Sequence, residues 1–305
     1  VFSRPHLLRL GSALLLASLS IVAPAAGQLA GSQGPAERAV RATLEKVIPR
    51  WDESVLRVAD KPDWSEKVTF DRVFQAMKDT PMKVERIPET AERIQDEGRS
   101  LRLDGRAGKV RYISRTRAWS FERDAKKPAI AAERALAAAQ EALRSLEVPS
   151  DELEKPDVAT QMAGGAPVGA REIQDRYEMY QIVTVKRRIN QLPVYGSEAR
   201  VAVNSGGEIQ RALVKWPAFR LSPGLSLRQR SSVVEEAVWQ ILRQSPRADL
   251  KITAYLAYAP RDDDDRMVRY VPAVIVSVYA PPTPYQVVID VAEPSGQPAT
   301  APRTP

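Results

Sequence analysis

The amino-acid sequence predicts an α+β protein built from two related units, each a helix packed on an antiparallel sheet. Three observations lead there. Two stretches, residues 128–146 and 232–244, repeat apolar letters at helical spacing, and each is followed by runs in which apolar and polar residues alternate. The order strand, helix, several strands occurs twice. Gly108-Lys109-Val110 precedes Trp119 and Phe121 in the first copy, and Gly207-Glu208-Ile209 precedes Trp216 and Phe219 in the second. A chain of 305 residues with 44% hydrophobic and 27% charged letters has room for roughly two cores of that kind.

Residues 1–27 combine Arg4 and Arg9 without an acid, an apolar stretch through Leu14-Leu15-Leu16 and Ile21-Val22, and small residues at Ala23, Ala25 and Gly27. This is the order of a secretory signal peptide, with cleavage expected after Ala25 or Gly27 and no stable membrane span thereafter. Residues 28–100 read as a small helical or mixed N-terminal region. Val40, Leu44, Val47 and Ile48 mark one amphipathic helix; Val68, Val73, Phe74 and Met77 mark another, with Ser65 as its N-cap.

Residues 101–220 form the first α+β domain. It opens with a hairpin turned at Asp104-Gly105 and a run ending at Trp119-Ser120-Phe121. The Ala-rich helix follows, with Leu136, Ala139, Leu143 and Leu146 on one face. Gly164-Gly165, Pro167 and Gly169 read as a loop, after which a long strand begins near Tyr177. Ala199, Val201 and Val203 share one face and Arg200 the other, and Asn204-Ser205-Gly206-Gly207 makes a hairpin turn. Residues 221–292 form the second domain. Its helix opens with a Ser232/Glu235 capping box and carries Val234, Val238, Ile241 and Leu242 as its apolar face; strands follow at 252–258, 270–279 and 285–291. The Pro-rich residues 293–305 are expected to form a disordered tail.

There is no Cys, and the one His is His6, inside the expected signal segment. The mature chain would then lack disulfides, thiolate or His-ligated zinc, Ser-His-Asp triads and Cys-His pairs. No catalytic, cofactor-binding or metal-ligating residue is nominated. Asp262-Asp263-Asp264-Asp265, flanked by Arg261 and Arg266, lacks the alternate spacing and the Gly of a calcium loop and reads as a solvated hairpin tip. Gly164-Gly165 and Gly206-Gly207 do not join a strand to a helix as a phosphate cradle must. Lys186-Arg187-Arg188 is the densest basic cluster and reads as a solvated edge, whereas Trp119, Trp216 and Trp239 read as core. With 45 Lys plus Arg against 38 Asp plus Glu distributed along the chain, the charge is mildly basic and mixed, which argues against a nucleic-acid partner.

The stretch Ile189-Asn190-Gln191-Leu192-Pro193-Val194-Tyr195-Gly196-Ser197, with the Gly206-Gly207-Glu208 turn after it, resembles the Asn-x-x-Pro-Val-aromatic-Gly segment of the fungalysin/thermolysin propeptide module. Downstream, the capped helix, Ala254-Tyr255-Leu256-Ala257-Tyr258, the strand Val271-Pro272-Ala273-Val274-Ile275-Val276 and Tyr285-Gln286-Val287-Val288-Ile289-Asp290 look like a PepSY domain. The sequence departs from that pattern after Asp290, where Val291-Ala292-Glu293 stands in place of Ala-x-Thr-Gly. The resemblance implies tandem cystatin-like and PepSY-like units in a secreted or periplasmic module. It also implies a role as inhibitor or chaperone of a separate exported metallopeptidase, since a chain without His in its mature part cannot build a His-Glu-x-x-His helix. The alternative is an envelope-associated structural or adaptor protein that holds anionic cell-surface polymer or a protein complex. Both readings are non-enzymatic and need no cofactor.

Overall fold

The computed structural model describes residues 34–57, 60–82, 93–105, 107–165, 175–222, 224–261, 269–281 and 283–293. The signal-like segment, the acidic run at 262–265 and the tail beyond residue 293 lie outside them. Among the described residues, five α-helices and ten strands make an α+β fold whose sheet is almost wholly antiparallel.

The first part of the sheet runs β1 (Arg93–Gln95), β2 (Arg99–Asp104), β3 (Lys109–Ser114), β7 (Ile209–Lys215), β6 (Leu192–Val203), β5 (Asp175–Ile189), β4 (Asp157–Gly165). One face packs on α2 (Phe70–Ala76) and α4 (Ala132–Ser145). Alternation decides which residues go there. Leu101, Val110, Tyr112, Val183, Val185, Ala199, Val201, Ala212 and Val214 are buried with Val73 and Phe74 of α2 and Ala135, Ala139 and Leu143 of α4. Small Ala residues let α4 approach the sheet closely. Both helices end with left-handed charged residues, Lys78 (φ 50°) and Glu147 (φ 56°), in the two-bond closure usually built on Gly.

The second part is the antiparallel meander β8 (Lys251–Arg261), β9 (Arg269–Tyr279), β10 (Tyr285–Asp290). It packs on α5 (Arg230–Gln244), which also receives α1 (Pro35–Val47). Val40, Leu44 and Ile48 meet Val233, Ala237, Val238 and Ile241 over Ile252, Val274, Val276 and Ile289. Of the residues before β2, therefore, α1 joins the second core while α2 and Ile94 of β1 join the first.

Strand β6 connects the two parts. It leaves β5 after Pro193 and pairs in parallel at Val194 with Tyr258 of β8, returning to β5 at Glu198. Val194 turns to the helix side with Ile189, Phe219, Tyr258 and Tyr270, whereas Tyr195 packs on the opposite side against Ala257, Ala259, Ala273 and Ile275. The β5–β6 hairpin is closed by Asn190 and Gln191, both at positive φ (48° and 62°), the geometry a two-residue hairpin requires.

Several local expectations need correction. Ser65 does not cap α2: its hydroxyl donates to Asp63 Oδ1 (2.9 Å), and Thr69, whose Oγ1 accepts from Arg72 N–H (3.2 Å), takes the cap. The Ser232/Glu235 capping box is absent, because α5 starts three residues earlier, with Gln229 at the N-cap. Ser232 Oγ donates back to the Gln229 carbonyl, and Glu235 pairs with Arg41 on α1. Phe121 opens the short helix α3 (Phe121–Asp124) instead of ending a strand. Gly164-Gly165 close strand β4, which the sequence hides because Asp157–Gly165 has one β-branched aliphatic residue, Val158, and is mostly exposed. Trp239 is half exposed beside Arg243, not core. No described helix is long and apolar enough to cross a membrane.

The register of β6 makes a direct prediction. Val201 is fully buried and Arg200 is exposed, so Val201→Asp should cost about 3–5 kcal/mol by burying an unpaired carboxylate. Arg200→Asp should cost less than about 1 kcal/mol. Urea midpoints of the two variants check this; equal losses would place the strand in the wrong register.

Candidate functional site

Alternation that buries the apolar set of the first sheet sends the other set to the helix-free side, and cross-strand register groups that set into rows. One row reads Arg93, Arg102, Arg111, Leu213, Arg200, Thr184 and Asp157 from β1 to β4. The next reads Asp104, Lys109, Lys215, Glu198 and Lys186. A third holds Ser100, Ile113, Arg211, Ala202 and Ile182. The three rows carry eight cations against three carboxylates. Arg93, Arg102, Arg111, Lys186, Arg200 and Arg211 are exposed, while Ile113, Ile182 and Leu213 lie half-buried between them.

This arrangement works against the sheet's own stability. Arg102 faces both Arg93 and Arg111, and Lys109 faces Lys215, each as directly opposed like charges. Like charges directly opposite each other across an antiparallel pair are destabilising. Relief from neighbours is uneven. Glu198 pairs with Arg200 (2.7 Å) and Asp104 sits 3.9 Å from Arg102, but Lys109, Arg111, Lys186, Arg211 and Lys215 have no ion pair among the described residues.

The helix-free side of the second sheet is different in kind. Its rows are Lys251 and Tyr279; Thr253, Ser277 and Gln286; Tyr255, Ile275 and Val288; Ala257, Ala273 and Asp290. Tyr195 Oη donates to Gln286 Oε1 (2.7 Å), whose Nε2 donates to Ser277 Oγ (3.0 Å). Tyr255 and Tyr279 are 39% and 50% exposed, and the Lys251 ammonium lies 5.5 Å from the Tyr279 ring centre. Burial pushes the Tyr195 and Tyr255 hydroxyls above their ordinary range, so both remain protonated donors. Burial also raises Asp290, against the opposing pull of Arg261, with which it pairs. The two parts meet on β6 at Gly196 (φ 72°), where Lys215 Nζ comes within 3.7 Å of the place a Cβ would take.

The other singled-out residues are structural. Within Lys186-Arg187-Arg188, the solvated reading fails at the middle residue: Arg187 is 1% exposed. Its Nε donates to Glu152 Oε2 (2.7 Å) and Nη1 to the Pro217 carbonyl (2.6 Å), while Trp216 Nε1 donates to the same carboxylate oxygen (2.8 Å). The guanidinium lies over Trp216 and Phe219, at 5.5 and 6.0 Å. It ties β5 to the segment that leads out of the first sheet. A cleft of about 270 Å³ beside Trp119 is lined by Arg117, Arg123, Asp124, Lys127 and Glu208. Its charges are mutually paired, and hydrogen bonding from Arg123 holds the Asp124 carboxyl down at about 2. Among the described residues no group of acids could hold a metal ion. Gly206-Gly207 sit in the β6–β7 turn, with Asn204 Oδ1 accepting from Gly206 and Glu208 N–H, and form no phosphate cradle.

No family model matches the chain, and no curated protein matches it. Among matching solved structures is that of an uncharacterized protein from Eubacterium rectale ATCC 33656, with a TM-score of 0.46 at 10% sequence identity, covering 76% of this chain and 82% of that one.

Proposed function

We propose that this chain is an exported, non-catalytic binding module whose working surface is the helix-free side of its sheet and whose partner is an anionic polymer of the cell envelope. The observation that carries the reading is the cation-rich face of the first sheet, where like charges stand opposed across strands and Lys109, Arg111, Lys186, Arg211 and Lys215 have no ion pair among the described residues. A face on which one sign of charge predominates attracts a polymer of the other sign. The repeated plan of helix then antiparallel meander, α4 with β4–β7 and α5 with β8–β10, supports the finer reading of tandem cystatin-like and PepSY-like units.

The test compares two charge reversals of equal net charge. Arg111→Glu with Arg200→Glu should weaken binding to sodium polyphosphate or polygalacturonate at least tenfold, about 1.4 kcal/mol. Arg134→Glu with Arg144→Glu, exposed on α4 on the other side, should change it less than twofold. Equal loss in both would mean that net charge, not this face, decides binding.

A second reading, inhibition or chaperoning of a separate exported metallopeptidase, is favoured by the edge strand β4. Among the described residues it pairs only with β5, and along its nine residues carries one charge, Asp157. The opposite edges are guarded: β1 has three residues, and Arg228 Nη1 donates to the Asp290 carbonyl (3.0 Å) at the rim of β10. An open edge accepts an extended segment by backbone pairing. Loss of activity when the protein is titrated into a thermolysin-like peptidase, without effect from the reversed arginines, would favour this reading over the first.

A further inference from the structure

The helix-free side has two chemistries on one strand-linked sheet: cations from β1 to β7, and hydroxyls, amides and tyrosine rings from β8 to β10. We infer that its ligand is an acidic polysaccharide, a chain of sugar rings bearing carboxylates, bound across the seam at Gly196. This rests on the polyanion reading and adds the chemistry of the polymer.

The pairing of ring and cation is the first argument. Lys251 and Tyr279 are directly opposed in register, with the ammonium 5.5 Å from a half-exposed ring. A uronate unit presents a carboxylate and a patch of C–H bonds on one ring, which such a pair can hold together. Polyphosphate has no apolar face to offer. The row Thr253, Ser277 and Gln286 is the second argument. The hydrogen-bond chain from Tyr195 through Gln286 to Ser277 fixes amide and hydroxyl orientations beside Thr253. Sugar hydroxyls both donate and accept, so a fixed row of mixed donors and acceptors suits them.

The seam supplies the third argument. Gly196 presents no side chain where the two parts join, and Lys215 Nζ stands above it, so a chain can cross from the neutral rows to the basic ones while meeting a cation. A lipid surface fits poorly, because the aliphatic residues of the basic part are sunk between long charged side chains. Single-stranded nucleic acid fits poorly as well. Successive bases need closely spaced stacking platforms, whereas the two exposed rings, Tyr255 and Tyr279, are set apart by the intervening Thr253–Ser277 row.

The experiment titrates the full chain with sodium polygalacturonate, sodium polyphosphate and single-stranded DNA at matched charge concentration. Wild type should bind polygalacturonate most tightly. Tyr255→Ala with Tyr279→Ala should lose at least tenfold toward polygalacturonate and stay within twofold toward polyphosphate, whereas Tyr255→Phe with Tyr279→Phe keeps the rings and should recover most of the loss. Both tyrosines are exposed, so unchanged thermal melting will show that the variants fold. If the tyrosine pair matters for neither polymer or equally for both, or if DNA binds more tightly, the polysaccharide assignment is overturned and the polyanion reading stands. If wild type binds none of the three, both fail.

Discussion

Gly108→Ala should be severely destabilising. Gly108 has φ 53°, and a Cβ there would lie 2.3 Å from Pro217 Cα, 2.5 Å from Pro217 N and 2.6 Å from the Trp216 carbonyl carbon. All three are backbone atoms, which cannot swing aside as a side-chain tip would. The same residues are joined by Trp216 N–H donating to the Gly108 carbonyl at 2.7 Å, so relief of the clash breaks a hydrogen bond and parts β3 from β7. A left-handed backbone adds its own strain to any residue but Gly. The combined loss should exceed about 4 kcal/mol, a large share of the roughly 5–15 kcal/mol that holds a domain together. Gly105→Ala, three residues away in open space, should change stability by less than about 1 kcal/mol. Denaturant titration of the two variants checks the pair; a Gly108→Ala protein as stable as wild type would mean that the crossing of β3 and the Trp216-Pro217 segment is wrong.

The second large effect is expected at Arg187. Arg187→Leu leaves the Glu152 carboxylate buried with the Trp216 indole and, at 3.8 Å, the Lys61 ammonium as its remaining partners, and should cost about 3 kcal/mol. Glu152→Leu should cost a similar amount by stranding the guanidinium. The double variant should recover much of either loss, because a buried ion pair is close to neutral against an apolar replacement, while either half alone is not. Lys186→Ala and Arg188→Ala, both exposed, should each shift stability by less than about 0.5 kcal/mol. A double-mutant cycle with no coupling would refute the buried pair.

These two sites also mark where the sequence is legible and where it is not. Apolar periodicity is a property of neighbours in the chain, so α1, α4 and α5, the hairpin at Asn204 and the inward face of Ala199, Val201 and Val203 can be read directly. Arg187 could not be, since its burial depends on Glu152 and Trp216, which are brought to it by tertiary packing. Strand β4 lacks the composition of a strand, and among the described strands it pairs with β5 alone. The cationic face was hidden for a related reason. Arg102 and Arg111, Lys109 and Lys215, and Arg200 beside Leu213 become neighbours only through cross-strand register, so a search for basic runs along the chain finds Lys186-Arg187-Arg188 and misses the face. Strand parity held part of the signal: on β2 and β3 the face cations alternate with the buried residues, whereas on β6 and β7 the buried Val194, Ala202 and Ile209 share the parity of Arg200 and Arg211.

The central claim is that the helix-free face neutralises a polyanion, and the salt dependence of binding tests it most directly. Displaced counterions make log Kobs fall linearly with log salt, by roughly 0.7–0.9 for each polymer charge the protein neutralises. The slope for polygalacturonate should therefore drop by roughly three when Arg102, Arg111, Arg200 and Arg211 are all changed to Gln. A slope that stays at the wild-type value in that variant would place the polymer elsewhere on the protein and contradict the account.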